Sequence, residues 1–162
     1  MKTKKLDLRP YGVNPAKGRA YENIVYTLAL IYNAFQSRVE AYFAPFGLTT
    51  VQFNVLMLAA YQNDGKGLKQ VELSKRLIAS VSNITKLVDK SVRAGLLSRK
   101  ANPYSRRENI ICITPQGRQL IDAVWPGYDD LVRGMTEKIP SKARRQTEQI
   151  LQQWLQDLQE TR

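Results

Sequence analysis

Residues 68–117 carry the pattern that most constrains how this chain of 162 residues can fold. Two short segments with helical spacing of their apolar residues, 68–77 and 81 to about 94, are separated only by residues 78–80. Two short apolar runs follow, "LLSRKA" and "NIICIT", with "NPYSRR" between them. Helical periodicity and then β-favouring runs around a Pro-containing loop predict a helix-turn-helix followed by a β-hairpin. We therefore expect a winged helix-turn-helix.

The second helix of this unit has two distinct faces. Its apolar face carries Ile84, Leu87, Val88 and Val92. Its polar face carries Asn83, Lys86 and Lys90. Ser80 is placed to cap the start of the helix, and Gly95 is typical of its end. In the first helix we expect three residues to point inward: Val71, Leu73 and Leu77.

Longer helical patterns flank the unit on both sides. The first begins at about Arg19 and ends at Pro45 and Gly47. Its apolar stripe consists of Ile24, Leu28, Ile31, Phe35, Val39 and Tyr42. Thr49 and Gln52 then fit a capping box before a helix that is apolar nearly all round, so that helix should be central.

Two helices are expected after the hairpin. Thr114-Pro115 provides an N-cap with proline at the first helical position, and Pro126 predicts a kink or a break further along. Pro140-Ser141 opens a last helix with an apolar stripe. The outer stripes exceed what a small central module can cover, so we expect a second copy of the chain to bury them.

The predicted fold class is mainly α with a small β-hairpin wing. The expected organisation is a flexible basic arm, not a core element, at 1–18, a dimerisation helix at 19–46, the winged helix-turn-helix at 47–114 and C-terminal dimerisation helices at 115–162.

The positive charge is concentrated in the centre of the chain. The net charge is +11, and residues 66–107 hold eleven Lys and Arg against two acidic residues. Residues 1–19 are also basic, whereas 20–65 and 108–162 are close to neutral. A compact basic segment between near-neutral ends suggests a surface that binds a polyanion. A solvated, solubilising surface is the alternative that charge alone leaves open.

Composition argues against several other classes. The chain has no histidine, which removes Ser-His-Asp and Cys-His catalysis and the commonest zinc ligand. Its single cysteine, Cys112, excludes an intramolecular disulfide framework, and we interpret it as an inert strand residue. No apolar run is long enough to span a bilayer, and the N-terminus lacks the apolar region of a signal peptide. We expect a cytoplasmic protein that is not an enzyme and needs no cofactor.

Four fragments together resemble the MarR family, named for the multiple-antibiotic-resistance regulators. "LTTVQFNVL", "QVELSKRL", "SNITKLVDK" and "AGLLSRKANPYSRRENIICITPQG" resemble, in order, the family's second helix, the two helices of its helix-turn-helix and its wing. The sequence departs from the family pattern at Lys69, Ser91 and Ser105, where threonine, leucine and aspartate are usual. The resemblance implies a homodimeric transcription regulator, often a repressor that a small ligand, frequently an aromatic acid or a phenol, releases from DNA.

The predicted DNA contacts fall into three groups. On the second helix, residues that face the major groove are Ser82, Asn83, Thr85, Lys86 and Lys90, with Asn83 suited to adenine and Lys86 to guanine. On the wing, Arg106 and Arg107 suit a narrow minor groove, and matching the family motif favours Arg107. Phosphate contacts are expected from Lys69, Gln70 and Arg99, and also from Lys75, Arg76 and Lys100. For each residue the alternative is an ordinary solvated side chain or surface ion pair.

An effector pocket is the remaining site hypothesis. Four residues of the first long helix can line it: Tyr32, Phe35, Arg38 and Tyr42. Arg38 can bind a carboxylate. The alternative is that the aromatic residues belong to the core and that Arg38 faces solvent.

Three functions compete. The leading one is a dimer that regulates transcription at a pseudo-palindromic operator on double-stranded DNA. The others are an architectural DNA-binding protein of low sequence specificity, and a winged helix whose basic face binds an acidic protein.

Overall fold

Helices dominate the chain, and three short strands form the only sheet of its described part. A computed structural model describes residues 6–14, 19–77, 81–102 and 105–160, without the side chains of 64, 65, 81–83 and 105–108. The elements are α1 (Ala20–Phe43), α2 (Thr50–Tyr61), β1 (Leu68–Lys69), α3 (Gln70–Arg76), α4 (Val81–Arg93), β2 (Leu97–Asn102), β3 (Ser105–Ile113), α5 (Pro115–Thr136) and α6 (Ser141–Glu160). They divide into two compact units, Met1–Asp122 and Ala123–Arg162.

The core of the first unit is built around α2, as predicted from its apolar sequence. Phe53, Val55 and Leu56 of α2 are buried, and the ring of Phe53 packs on that of Phe43 with 4.7 Å between centroids. The predicted capping box is present: Thr49 Oγ1 accepts from the Gln52 backbone, and Gln52 Oε1 accepts from the Thr49 backbone at 3.1 Å. Two of the backbone amides that lack an intrahelical partner at the start of this helix are therefore satisfied.

The sheet has three antiparallel strands in the order β1-β3-β2, where the sequence predicted only a hairpin. The missing strand, β1, pairs Leu68 with Ile111 and Lys69 with Ile110. Residue 68 was expected inside a helix, but α3 begins only at Gln70. The prediction that Val71 points inward is wrong, because Val71 is 53% exposed while Leu73 is buried. Residues two apart in a helix point to nearly opposite sides, so the two cannot share one face.

The hairpin is also longer than predicted. β3 begins at Ser105, so Arg106 and Arg107 belong to a strand and not to a loop. The apolar pattern that located the strands does not detect a strand segment made of polar residues.

The junction between α4, β2 and α5 fixes where the hairpin begins. Gly95, in a left-handed conformation, closes a Schellman motif in which the Leu96 amide donates to Ser91 at 2.9 Å. Thr114 Oγ1 donates to the Gly95 carbonyl at 2.6 Å and accepts from the Gly117 amide at 3.0 Å. One hydroxyl thus caps α5, as predicted, and ties it to the end of α4.

Part of the predicted N-terminal arm is a core element, which corrects that expectation for residues 6–14. Leu8 and Val13 are both buried. The chain between them forms a turn in which the Val13 amide donates to the Leu8 carbonyl at 3.4 Å, with Gly12 at φ 83°. This is a Schellman motif, which brings the two flanking apolar side chains together. The predicted arm beyond residues 6–14 includes 1–5 and 15–18, which lie outside the described residues.

Helix α5 continues through Pro126, so the predicted break does not occur. Pro126 cannot donate to the Asp122 carbonyl, but the rest of the helical ladder does not depend on that bond. In the second unit, α6 leaves large apolar residues exposed: Ile150, Leu151, Leu155 and Leu158.

No single helix among the described residues is long and apolar enough to cross a membrane, whereas residues Ala20–Phe46 and Thr50–Tyr61 pass that test jointly, as a pair bent by 74°.

Candidate nucleic-acid interface

Helices α3 and α4 form the predicted helix-turn-helix. Each helix buries apolar side chains, Leu73 in α3 and Ile84 and Val88 in α4. At the start of α3, the Lys69 amide donates to Glu72 Oε2 at 3.3 Å. The predicted cap at Ser80 lies outside the described residues.

The two faces predicted for α4 are confirmed where its side chains are described. Ile84 and Val88 are buried, while Thr85, Lys86 and Lys90 are exposed. Ser82 and Asn83 lie in the first turn of α4, and their side chains are outside the description. Their predicted base contacts therefore stay predictions.

Two of the predicted contact residues meet each other. Gln70, the first residue of α3, donates from Nε2 to Thr85 Oγ1 of α4 at 2.9 Å. This bond uses Thr85 as an acceptor, so its own proton can be donated elsewhere. The start of α3 is thereby joined directly to the exposed face of α4.

The hairpin places the two candidate minor-groove arginines in an irregular stretch of its ladder. Ala101 pairs with Asn109, but the next residue of β2, Asn102, pairs with Ser105. Arg106 and Arg107 lie between these two pairs, on the strand with the extra residues. A bulge of this kind bends a strand and redirects its side chains.

Arg99 has a partner that the sequence analysis did not select. Its Nη2 donates to Oδ1 of Asp89 in α4, in an ion pair between β2 and the second helix. Its predicted role as a phosphate contact stays a prediction, but its charge is offset by a neighbour. A signal was present in the sequence: Asp89 is one of only two acidic residues among 66–107.

Arg76 also forms a contact within the protein, from Nη1 to Gln62 Oε1 at 2.5 Å. Arg76 therefore connects α3 to the turn that follows α2. Its contact with a DNA phosphate stays a prediction.

The residues proposed for an effector pocket share one side of α1. At 100° per residue, Tyr32, Phe35, Arg38 and Tyr42 fall within an arc of about 120°. Tyr32 and Arg38 are exposed, and Phe35 and Tyr42 are half-buried. The ring of Tyr42 lies 5.6 Å from those of Phe43 and Phe46, so it belongs in part to the end of the helix and its packing.

Cys112 is buried in β3, in agreement with its interpretation as a strand residue. Its Sγ donates to the Lys66 carbonyl at 3.5 Å and lies close to Gly67, where a Cβ atom would approach it to 2.7 Å. The thiol is thus packed between β3 and the turn before β1.

A helix-turn-helix with an exposed basic face, followed by an arginine-bearing β-hairpin, defines a winged helix-turn-helix protein. The model of the MarR family matches residues 48–109. The transcriptional regulator MhqR of Bacillus subtilis (strain 168) is 31% identical over 115 residues, covering 68% of this chain and 77% of that protein. The chain therefore belongs to the MarR family, a family of transcription regulators.

Two further similarities bear on function. The transcriptional repressor YetL of Bacillus subtilis (strain 168) is 31% identical over 99 residues, which span 61% of this chain but only 59% of YetL. The structure of CouR from Rhodococcus jostii RHA1, bound to p-coumaroyl-CoA, superimposes with a TM-score of 0.71 at 28% identity. That match covers 82% of this chain and 91% of CouR.

Proposed function

We propose that the protein is a homodimeric repressor that binds a pseudo-palindromic operator on double-stranded DNA in the cytoplasm and is released by a small effector. The observation that carries the proposal is the exposed polar face of α4, with Thr85, Lys86 and Lys90, beside a hairpin that carries Arg106 and Arg107. A helix entering the major groove and a hairpin reaching the adjacent minor groove need this arrangement of donors.

Exposed apolar surface supports the dimer. Along one side of α1 the large exposed apolar residues are Tyr21, Ile24, Val25, Leu28, Ile31 and Tyr32. A helix of a soluble protein rarely leaves so continuous a stripe in water, and a second copy related by a two-fold axis can cover it. Two recognition helices would then read half-sites about one helical turn apart.

The effector is proposed from two observations. Tyr32, Phe35, Arg38 and Tyr42 share a side of α1, where aromatic rings and a guanidinium suit an aromatic carboxylate. CouR, which is 28% identical, is bound to an aromatic acyl thioester. The repressing direction rests on the YetL relative, which is a repressor.

The direct test measures fluorescence anisotropy of fragments from the protein's own genome against random DNA at physiological salt. We expect a fragment with two symmetric half-sites to bind on the order of a thousandfold or more tighter than random DNA. Equal affinity for both would favour an architectural protein. Absence of binding at low ionic strength would overturn DNA binding altogether.

Two further measurements test the other parts. Light scattering in solution should give twice the chain mass of 18.5 kDa. Titration with salicylate-like acids should release heat and weaken operator binding in the wild type but not in Arg38→Gln. Titrations without heat or effect on DNA binding would count against this class of effector.

A further inference from the structure

Asp89 is an acidic residue on the side of α4 that the proposed function turns toward DNA. It stands one helical turn after Thr85 and Lys86, which are both exposed. A carboxylate there repels phosphates, and residues 66–107 otherwise contain eleven cations and only one more acid. A favourable contact of Asp89 would have to compensate for its repulsion of phosphates.

The partner of Asp89 indicates that role. Arg99, at the middle of β2, donates to it across the space between helix and hairpin. With Val92 and Arg93, the pair lines an open cleft of about 290 Å³. The two side chains remain 32% and 40% exposed, and an ion pair so exposed contributes little to stability. Because it joins α4 to β2, the contact can restrain the angle between the helix and the hairpin.

The hairpin transmits that constraint toward its far end. Arg99 pairs with Ile111 and Ala101 with Asn109, so β2 and β3 move together. Asn102 lies three residues beyond Arg99, about 10 Å at the rise of a strand, so a tilt of about 10° at Arg99 moves it by roughly 2 Å. Such a shift is enough to break a hydrogen bond to a base or phosphate.

We propose that Asp89 and Arg99 are positioning residues. Their ion pair sets the angle between α4 and the hairpin, so that the recognition helix and Arg107 engage the same operator at once. The inference rests on the proposed function. In this role neither Asp89 nor Arg99 contacts DNA directly. The positioning role of Arg99 therefore differs from the phosphate contact predicted for it from the sequence.

The test uses the full-length protein and five variants: Asp89→Asn, Arg99→Gln, the double variant of these two, Arg99→Lys and Lys100→Gln. Lys100→Gln is the matched control, because it removes the same charge as Arg99→Gln from the next residue of β2. Affinities for operator and random DNA are measured over a range of salt concentrations, and thermal unfolding is followed for each variant.

Positioning predicts that each single variant binds the operator roughly two- to fivefold more weakly, which is the range that an exposed ion pair can supply, with little change on random DNA. The double variant should bind no more weakly than either single one, since both disrupt the same contact. The salt dependence of Arg99→Gln should equal that of the wild type. Lys100→Gln should keep the wild-type ratio of operator to random affinity, and Arg99→Lys, which retains a cation, should recover most of the operator affinity.

Other results would overturn the inference. Tighter binding of Asp89→Asn to both DNAs would make Asp89 a repulsive charge and nothing more. A shallower salt dependence for Arg99→Gln, with equal loss on both DNAs, would make Arg99 a phosphate contact. An unfolded Arg99→Gln would make the pair a structural contact. A wild type that binds no duplex would instead refute the proposed function itself.

Discussion

The side-chain amide of Gln70, at the start of α3, donates a 2.9 Å hydrogen bond to the hydroxyl of Thr85 in α4. The bond joins the two helices of the helix-turn-helix at the face proposed to meet DNA. It holds the Thr85 hydroxyl in one orientation, with its proton free for a base edge or a phosphate. Gln70 therefore has a role in orienting Thr85 that does not depend on a phosphate contact of its own.

We predict that Gln70→Ala weakens operator binding by about 1 kcal/mol, because the Thr85 hydroxyl loses its fixed orientation. Thr85→Val should weaken binding by at least as much, since it removes the donor itself. Anisotropy titrations of the two single variants and the double variant give the coupling between the residues. A double variant whose loss is the sum of the single losses would show that the two side chains act separately.

Arg107 is predicted to contribute to operator affinity through the minor groove. Arg107→Ala should weaken binding by about 1–3 kcal/mol. Arg145→Ala, which removes an equal charge from an exposed position on α6, is the control and should bind nearly as the wild type does. Gel shifts that give Arg107→Ala wild-type affinity would reject the role.

Local signals predicted three helix ends correctly. Thr49 with Gln52, Gly95, and Thr114 with Pro115 each act within a few residues of chain, and each lies in the predicted conformation or bond. The two faces of α4 were equally predictable, because a helix of this length repeats its pattern several times.

Long-range pairing was not predictable from these signals. Strand β1 has two residues, and it exists because Leu68 and Lys69 meet Ile111 and Ile110, more than forty positions later. The Asp89–Arg99 pair likewise depends on how the hairpin packs beside α4. Such contacts follow from the assembled fold: the scarcity of acidic residues among 66–107 draws attention to Asp89, but nothing in the sequence identifies Arg99 as its partner.

Ser91 contains a buried hydroxyl that has no hydrogen-bond partner in the described part of the chain. The residue is 1% exposed, inside α4. Burying an unpaired hydroxyl costs about 1–3 kcal/mol, and alanine also favours a helix more than serine does. We therefore predict that Ser91→Ala raises the free energy of unfolding by about 1–2 kcal/mol, measured by urea denaturation.

The matched control is Ser74→Ala in α3. The Ser74 hydroxyl is half-buried and donates to the Gln70 carbonyl at 3.2 Å, so its removal sacrifices a bond. This variant should be neutral or slightly less stable. Equal stabilisation of both variants would show that helix propensity alone explains the gain.

Gly117 lies where α5 passes the end of α4. A Cβ atom at this position would stand 2.2 Å from the Leu96 carbonyl oxygen and 2.7 Å from Ile113 Cδ1. The first of these atoms is backbone and cannot rotate away, so the contact can be relieved only by moving α5 from the junction that Thr114 caps. We predict that Gly117→Ala lowers the free energy of unfolding by about 2 kcal/mol or more, although alanine ordinarily stabilises a helix by up to about 1 kcal/mol over glycine.

Gly134 supplies the control within the same helix. A Cβ atom there meets nothing within 4 Å, so Gly134→Ala should raise the free energy of unfolding by roughly 0.5–1 kcal/mol through helix propensity alone. Denaturation curves of the two variants should therefore shift in opposite directions from the wild type. A Gly117→Ala variant more stable than the wild type would mean that α5 can move away from Leu96 without a cost in free energy. That result would contradict the close packing of α5 against the end of α4.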